Sequence, residues 1–303
     1  MSLSNRNIVK QSYELNNARY SLTAMETDII MRMIAEIKNE DEDFKPYRFK
    51  VSELESKMGK QLNRNSIKAM ADGIARKPLR IDKGKGSFLT VGWVSSFEYF
   101  AEIGEIELCF DPKLKPYLLR LQGHFAMSDI RQIFQLSSEY AKRIYTIFKQ
   151  WEKVGKYEIE VLEWQKLFEV PKSMFIYNNF KSKVLEVAKD QINKNTDLHV
   201  DYKEIKTGRK ITHLEWTIKK KAGMQTTLGD FSSAEIDTEE AHKIAVFSVR
   251  LGRELSHSLG SVPLAALRKE AKKYCQYHGF EYSKNLFDSS LKIAKDIISQ
   301  TMS

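Results

Sequence analysis

Around an apolar spine of Phe180, Val184, Ala188 and Ile192, the segment 177–195 carries Asn178, Asn179, Lys181, Ser182, Lys183, Lys189, Asn193 and Lys194 on its remaining surface. A helix that enters the major groove of a duplex needs this division. Its amides can pair bidentately with adenine, its cations can reach guanine or phosphate, and its first turn makes the base contacts. Between positions 177 and 221, eleven Lys and Arg stand against six Asp and Glu. A local excess of that kind matters because neutralising phosphates drives affinity. Lys206, Arg209 and Lys210 extend the patch into what reads as a hairpin tip around Gly208. A Lys-rich helix face can also be no more than a solvated surface, and the pattern by itself leaves both readings open.

The first half repeats the arrangement more faintly. Arg64, Asn65, Lys68, Arg76 and Lys77 lie on or just after a candidate helix, and Lys83 and Lys85 sit at the tip of the hairpin that follows. The run 83–87 is no phosphate-binding loop, because G-x-x-x-x-G-K-[ST] must join a strand to a helix and this run joins two strands. Enzyme patterns fare poorly. His124, His199, His213, His242, His257 and His278 are scattered, with neither H-E-x-x-H nor an adjacent pair to hold a metal, and no G-x-S-x-G elbow occurs. A nicking enzyme needs a metal site and a nucleophilic tyrosine, but Tyr140 and Tyr145 fall on the apolar side of a helix and read as core. Trp93, Trp151, Trp164 and Trp216 read as core anchors in the same way. The expectation is a protein with no catalytic site, no metal and no cofactor.

The elements that must position these residues follow from periodicity. Leu22, Met25, Ile29, Ile30, Met33, Ile34 and Ile37 recur at spacings of three and four and predict an amphipathic helix over 21–37. Ser21 or Thr23 ahead of Glu26 supplies a capping arrangement. Short helices are expected over 51–58, ending at Gly59, and over 63–76, where Ile67, Met70, Ala71 and Ile74 share a face and Pro78 stops the run. The period then changes to two. Leu79 and Ile81, followed by Phe88 to Val94, predict a hairpin around 82–86, with a further strand over 105–110. Helices followed by a basic-tipped hairpin are the order of a winged helix, a variant of helix-turn-helix. The order recurs as helices over 138–151, 161–168 and 177–195, a strand over 157–161, and strands over 198–202 and 211–218. The repetition is one of pattern and not of residues, and it points to a structural duplication.

These elements divide the chain into 1–125, 126–222 and 223–303, with a linker near 121–129 and helices expected over 238–253, 264–278 and 283–299. The fold class is α+β: two tandem winged-helix domains and a C-terminal, mainly helical extension. A chain of 303 residues with 42% hydrophobic content can bury two or three ordinary cores. Its net charge of +9, from 49 Lys and Arg against 40 Asp and Glu, describes a mixed surface with basic patches suited to polyanions such as nucleic acid or anionic lipid. Cys109 and Cys275 lie far apart without metal-ligand spacing, so no disulfide framework or zinc site is expected, and Cys109 reads as a small buried thiol. The polar N-terminus lacks an apolar h-region, and nowhere do about 18 apolar residues run together. A cytoplasmic protein with no membrane partner is expected.

Four stretches carry a likeness to a known family: SYELNNARYSLTAMETDIIMRMI from Ser12, GEIELCFDPKLKPYLLRL from Gly104, LSSEYAKRIYTIFKQW from Leu136, and FKSKVLEVAKDQINKNTDLHVDYKEIKTGRKITHLEWTI from Phe180. Most specific are the L-S-S-x-Y-x-x-R-x-Y core around Arg143 and the N-x-x-T-D-L run followed by G-R-K. In these the sequence resembles the iteron-binding plasmid replication initiators of the RepB, RepE and pi type. The resemblance implies two winged-helix domains that bind repeated double-stranded sites at an origin, the second making the main base-specific contacts. It implies a monomer that activates the origin and a dimer, formed through the first domain, that represses its own gene. Host replication initiator and replicative helicase would be partners. The major-groove helix would be 177–195 with its wing at 206–210, and 63–76 its counterpart. The extension 223–303 lies outside the likeness. A winged-helix transcription regulator without initiator activity and a DNA-nicking relaxase are the competing classes.

Overall fold

The structure, a computed structural model, describes residues 8–59, 61–84, 86–121 and 125–221, and beyond them 266–269, 271–272, 287–288 and 291. The chain opens with strand β1 (Ile8–Ser12) and the short helix α1 (Tyr13–Asn16). Helix α2 (Ala24–Ala35) starts at a full capping box, in which Glu26 N donates to Thr23 Oγ1 and Thr23 N donates to Glu26 Oε2 at 2.7 Å. After β2 (Tyr47–Lys50), helix α3 (Val51–Met58) ends at Gly59, whose φ of 62° is the left-handed cap that glycine adopts without strain. Helix α4 (Arg64–Arg76) is capped by Asn63 and buries Ile67, Met70 and Ile74. Where it packs on α2, a Cβ at position 73 would lie 1.9 Å from Glu26 Oε1, so any residue larger than glycine must displace that carboxylate.

Strands β3 (Leu79–Gly84) and β4 (Ser87–Val91) pair as the expected hairpin, longer on its first side than periodicity suggests. The second strand stops before Trp93, which is fully buried against the edge of Tyr20. A separate strand β5 (Val94–Phe100) follows, and β6 (Glu105–Phe110) lies between it and β2 in a three-stranded antiparallel sheet. Along β6 the buried set is Ile106, Leu108 and Phe110. Cys109 therefore falls on the opposite, half-buried face and is not the core thiol its apolar neighbours suggest. A 3-10 turn (Pro112–Leu114) and helix α5 (Lys115–Leu118) close this half.

The segment expected to be a linker ends instead in strand β7 (Phe125–Asp129), which pairs antiparallel with β1, Ile8 opposite Asp129 and Ser12 opposite Phe125. A strand completed by residues more than a hundred positions away leaves no local mark in the sequence. Helices α6 (Ile130–Gln135) and α7 (Glu139–Trp151), strand β8 (Lys156–Glu160) and helix α8 (Val161–Leu167) come next. A continuous helical stretch follows, made of α9 (Tyr177–Phe180), a π turn (Lys181–Leu185) and α10 (Glu186–Asn195). Strands β9 (Leu198–Thr207) and β10 (Lys210–Lys220) form a long hairpin, and β10 also pairs with β8. Trp164 and Trp216 lie 5.6 Å apart, centroid to centroid, in this core, both fully buried.

Helix α7 binds the two halves together. Arg143, 3% exposed, donates from Nη1 to the carbonyls of Tyr20 (2.7 Å) and Leu167 (2.9 Å) and from Nη2 to Ala18 O (2.6 Å). Its guanidinium also stacks 3.6 Å from the Tyr20 ring centroid. Lys142 donates to Asp28 Oδ1 at 2.6 Å and Ile133 O at 2.8 Å, and Asn16 Nδ2 reaches Thr146 O at 3.3 Å. By packing, the chain divides into two units, Met1–Ile81 with Thr90–Phe231, and Asp82–Leu89 with Ser232–Ser303. In the second, the described residues of the segments 264–278 and 283–299 are helical and bury Leu267, Ala271 and Phe287. The segment 238–253 lies outside the described residues.

Candidate nucleic-acid interface

The apolar spine of the long helix is the one expected, with Leu185 added: Phe180, Val184, Leu185, Ala188 and Ile192 are all fully buried. Successive steps of four residues drift by about 40° on an α-helix of 3.6 residues per turn. The π turn, with its i→i+5 bonding, underwinds the stretch Lys181–Leu185 and offsets part of that drift. The spine therefore stays against the core from one end to the other, and the polar residues stay outward.

Those outward residues form two sets. One ties the helix to the wing strand β9. Lys181 Nζ and the Tyr177 hydroxyl both donate to Glu204 Oε1, at 2.7 and 2.8 Å. The Tyr202 hydroxyl donates to Glu186, and Lys189 pairs with Asp201 at 2.7 Å. The bond from Lys181 holds the Glu204 carboxyl below its ordinary value, and the bond from Lys189 does the same for Asp201. Both ammonium groups are raised correspondingly by those bonds. Burial, and then the bonded carboxylate, pushes the phenols of Tyr177 and Tyr202 up. Asn179 spends its amide NH2 on Ser173 O at 2.8 Å, and Ser182 bonds Asn179 O. Lys181, Lys189 and Asn179 thus position the helix. The acidic and phenolic partners on β9 and α10 carried no sequence signal, because a salt bridge between a helix and a strand has no fixed spacing.

The second set faces water. Asn178, Lys183, Lys194, Lys206, Arg209 and Lys210 are exposed. Among the described residues, none of these cations has an acidic partner within 4.0 Å, the reach of a salt bridge. Gly208, with a φ of 63°, allows β9 and β10 to be joined by two residues and leaves Arg209 and the flanking lysines at the tip.

In the first half, α4 presents Arg64, Asn65 and Lys68 to solvent on the side away from Ile67, Met70 and Ile74. Arg76 is exposed, 3.9 Å from Asp72. Lys77 is turned inward instead, donating to both oxygens of the buried Glu26 carboxylate at 2.8 and 2.9 Å, so it locks α4 to α2. Lys83 is exposed but falls in the second unit, and Lys85 lies outside the described residues. Tyr145 and the four tryptophans are core residues, as expected. Among the described residues, no group of three or more His, Cys, Asp or Glu is placed to hold a metal ion, and no helix is long and apolar enough to cross a membrane.

Helices that feed a basic-tipped hairpin, twice in one chain, define a tandem winged-helix protein of mixed helix and strand. The chain matches the family models described as "Initiator Replication protein, WH1" over residues 8–149 and "Initiator Rep protein, WH2" over 160–218. It belongs to the initiator replication protein family. Among solved structures, the pi initiator protein in complex with iteron DNA is similar over 73% of this chain and 100% of that one, at 16% sequence identity and a TM-score of 0.57. Domains 2 and 3 of RctB match 64% of this chain and 82% of theirs, at 13% identity and a TM-score of 0.35.

Proposed function

We propose that this protein initiates plasmid replication by binding repeated double-stranded DNA sites, iterons, at the origin. The observation that carries the reading is the division of labour on the helix 177–195. One set of side chains fastens it to the wing, which leaves Asn178, Lys183, Lys194, Lys206, Arg209 and Lys210 hydrated and aimed outward for bases and phosphates. The half 126–222 makes the main contacts with each repeat. The half 1–125 contributes accessory contacts through Arg64, Asn65, Lys68 and Arg76, and mediates a monomer–dimer equilibrium through which the protein represses its own gene. Occupied repeats strain an adjacent A·T-rich stretch, and the deformation, several kcal/mol by elastic estimates, is offset by the phosphate contacts of both halves. The opened origin then receives the host replication initiator and replicative helicase in the cytoplasm. The protein performs no chemical step of its own and needs no cofactor. The extension 223–303 is left without a role.

The test is a gel-shift titration against origin repeats and a scrambled duplex in competitor DNA at near-physiological salt. A preference for the repeats of about a thousandfold or more supports the reading, and equal, steeply salt-dependent binding to both defeats it. Two controls separate the competing classes. A relaxase nicks supercoiled origin DNA in the presence of a divalent metal, and a transcription regulator fails to sustain a plasmid that carries the origin.

A further inference from the structure

Just ahead of α9, two neighbouring apolar side chains are left in water. Phe175 is 45% exposed and Ile176 63%. Single exposed apolar residues are ordinary, but these two are adjacent and their backbone is anchored on both sides. Met174 N donates to Pro171 O at 2.8 Å, the buried Gln165 donates from Nε2 to Met174 O at 2.9 Å, and Asn179 Nδ2 donates to Ser173 O at 2.8 Å. The amides of Asn179 and Phe180 both donate to Ile176 O, at 3.0 and 3.1 Å. The pair is therefore held out at the mouth of the helix on a fixed loop. Exposed cations flank it in the chain: Lys172 precedes the pair and Lys183 follows it, and between positions 170 and 185 the chain has no acidic residue. An exposed apolar pair with exposed cations before and after it in the chain, at this end of the helix, complements one kind of surface, an apolar group set between phosphates.

We infer that Phe175 and Ile176 read thymine 5-methyl groups in the major groove of the bound repeat. The inference rests on the function proposed above and deepens it. In helix-turn-helix docking the N-terminal end of the recognition helix approaches the base edges. The thymine methyl is the apolar mark that the major groove offers there. Specificity then has two sources in this half, apolar contact from 175–176 and polar contact from Asn178 onward, both in register because Asn179 ties the loop to the first turn.

The experiment uses the full chain and an origin-repeat duplex in which thymidines are replaced by deoxyuridine, one at a time and then together. The replacement removes a methyl and leaves base pairing and phosphates intact. Wild-type protein is expected to lose about fourfold in affinity for each methyl it covers, the value of one buried methylene, with no change in salt slope. Ile176→Ala and Phe175→Ala should bind the thymidine and deoxyuridine duplexes equally at the affected positions, as a closed double-mutant cycle requires. Urea unfolding checks that the variants fold, and the wild-type arm needs no variant. If wild-type protein prefers the repeats but no deoxyuridine changes its affinity, or the loss persists undiminished in both variants, the inference is overturned and the initiator reading stands. If wild-type protein shows no preference for the repeats, the proposed function itself has failed.

Discussion

Lys142, Arg143 and Lys149 on α7 are buried, while Lys183 and Lys194 on the helix 177–195 stand in water. Written out, the two helices look alike, each an apolar spine with cations between. On α7 every cation is met by groups from distant segments: Asp28 for Lys142, the carbonyls of Ala18, Tyr20 and Leu167 for Arg143, and for Lys149 the fully buried Asp197 at 3.0 Å. Asp197 also accepts from the Tyr145 hydroxyl at 3.0 Å. Burial pulls the Arg143 guanidinium below its ordinary value, and the carbonyls keep the charge tolerable in a place where an unpaired one is prohibitive. The cations of α7 hold the fold together. Those of 177–195 are either steadied along β9 or left hydrated.

Substitutions should separate the two groups sharply. Arg143→Ala strands three carbonyls and opens the junction of both halves, so urea unfolding should show a loss of roughly 3–5 kcal/mol, the range for breaking a buried charged network. A loss below about 1 kcal/mol would erase the contrast. Gly73→Ala drives a methyl into Glu26 and disturbs both the α2 cap and the Lys77 pair, and should cost about 1–3 kcal/mol by the same measurement. Lys183→Ala combined with Lys206→Ala should leave stability within about 0.5 kcal/mol, yet weaken repeat binding and lower the salt slope by about 0.9 for each phosphate that is no longer neutralised. An unchanged slope would remove both residues from the interface.

The smallest effect sharpens the comparison within the interface itself. Glu204 and Asp201 hold folded-state values below those of the unfolded chain. Their pairs with Lys181 and Lys189 therefore stabilise the protein above the unfolded carboxylate values of about 4, and that contribution is lost as the pH falls through the depressed folded values. Being partly solvated, the pairs contribute under about 1 kcal/mol. The gap in unfolding midpoint between wild type and Glu204→Gln with Asp201→Asn should be small at about pH 7 and close towards about pH 3. A gap that widens on acidification would mean that the carboxylates are not held by the lysines.

The longer helices were legible where an apolar spacing and a cap coincide, as at Thr23 and Glu26, Asn63, and Val51 to Gly59, whereas the short α1 and α6 were not, although Ser12 and Asp129 cap them. Strands β1, β2, β5 and β7 were not: β1, β2 and β7 are four or five residues long, and β1 and β7 exist only as partners of one another. The basic positions of the candidate interface are visible in the sequence, but what each of them packs or bonds against is not. Nothing local distinguishes Lys181, bonded to Glu204, from Lys183, two residues on and solvated. Lys77 sits beside Arg76 in the chain, yet closes on a carboxylate 51 positions away.

From residue order alone came the apolar spines, the caps, the glycine turns, the tandem repetition and the excess of positive charge, all properties of neighbours in the chain. The tertiary structure alone decided which cations are spent on holding the fold and which remain for a ligand. That choice depends on which carbonyls and carboxylates folding brings within about 3 Å, the hydrogen-bonding distance at which a charge can leave water.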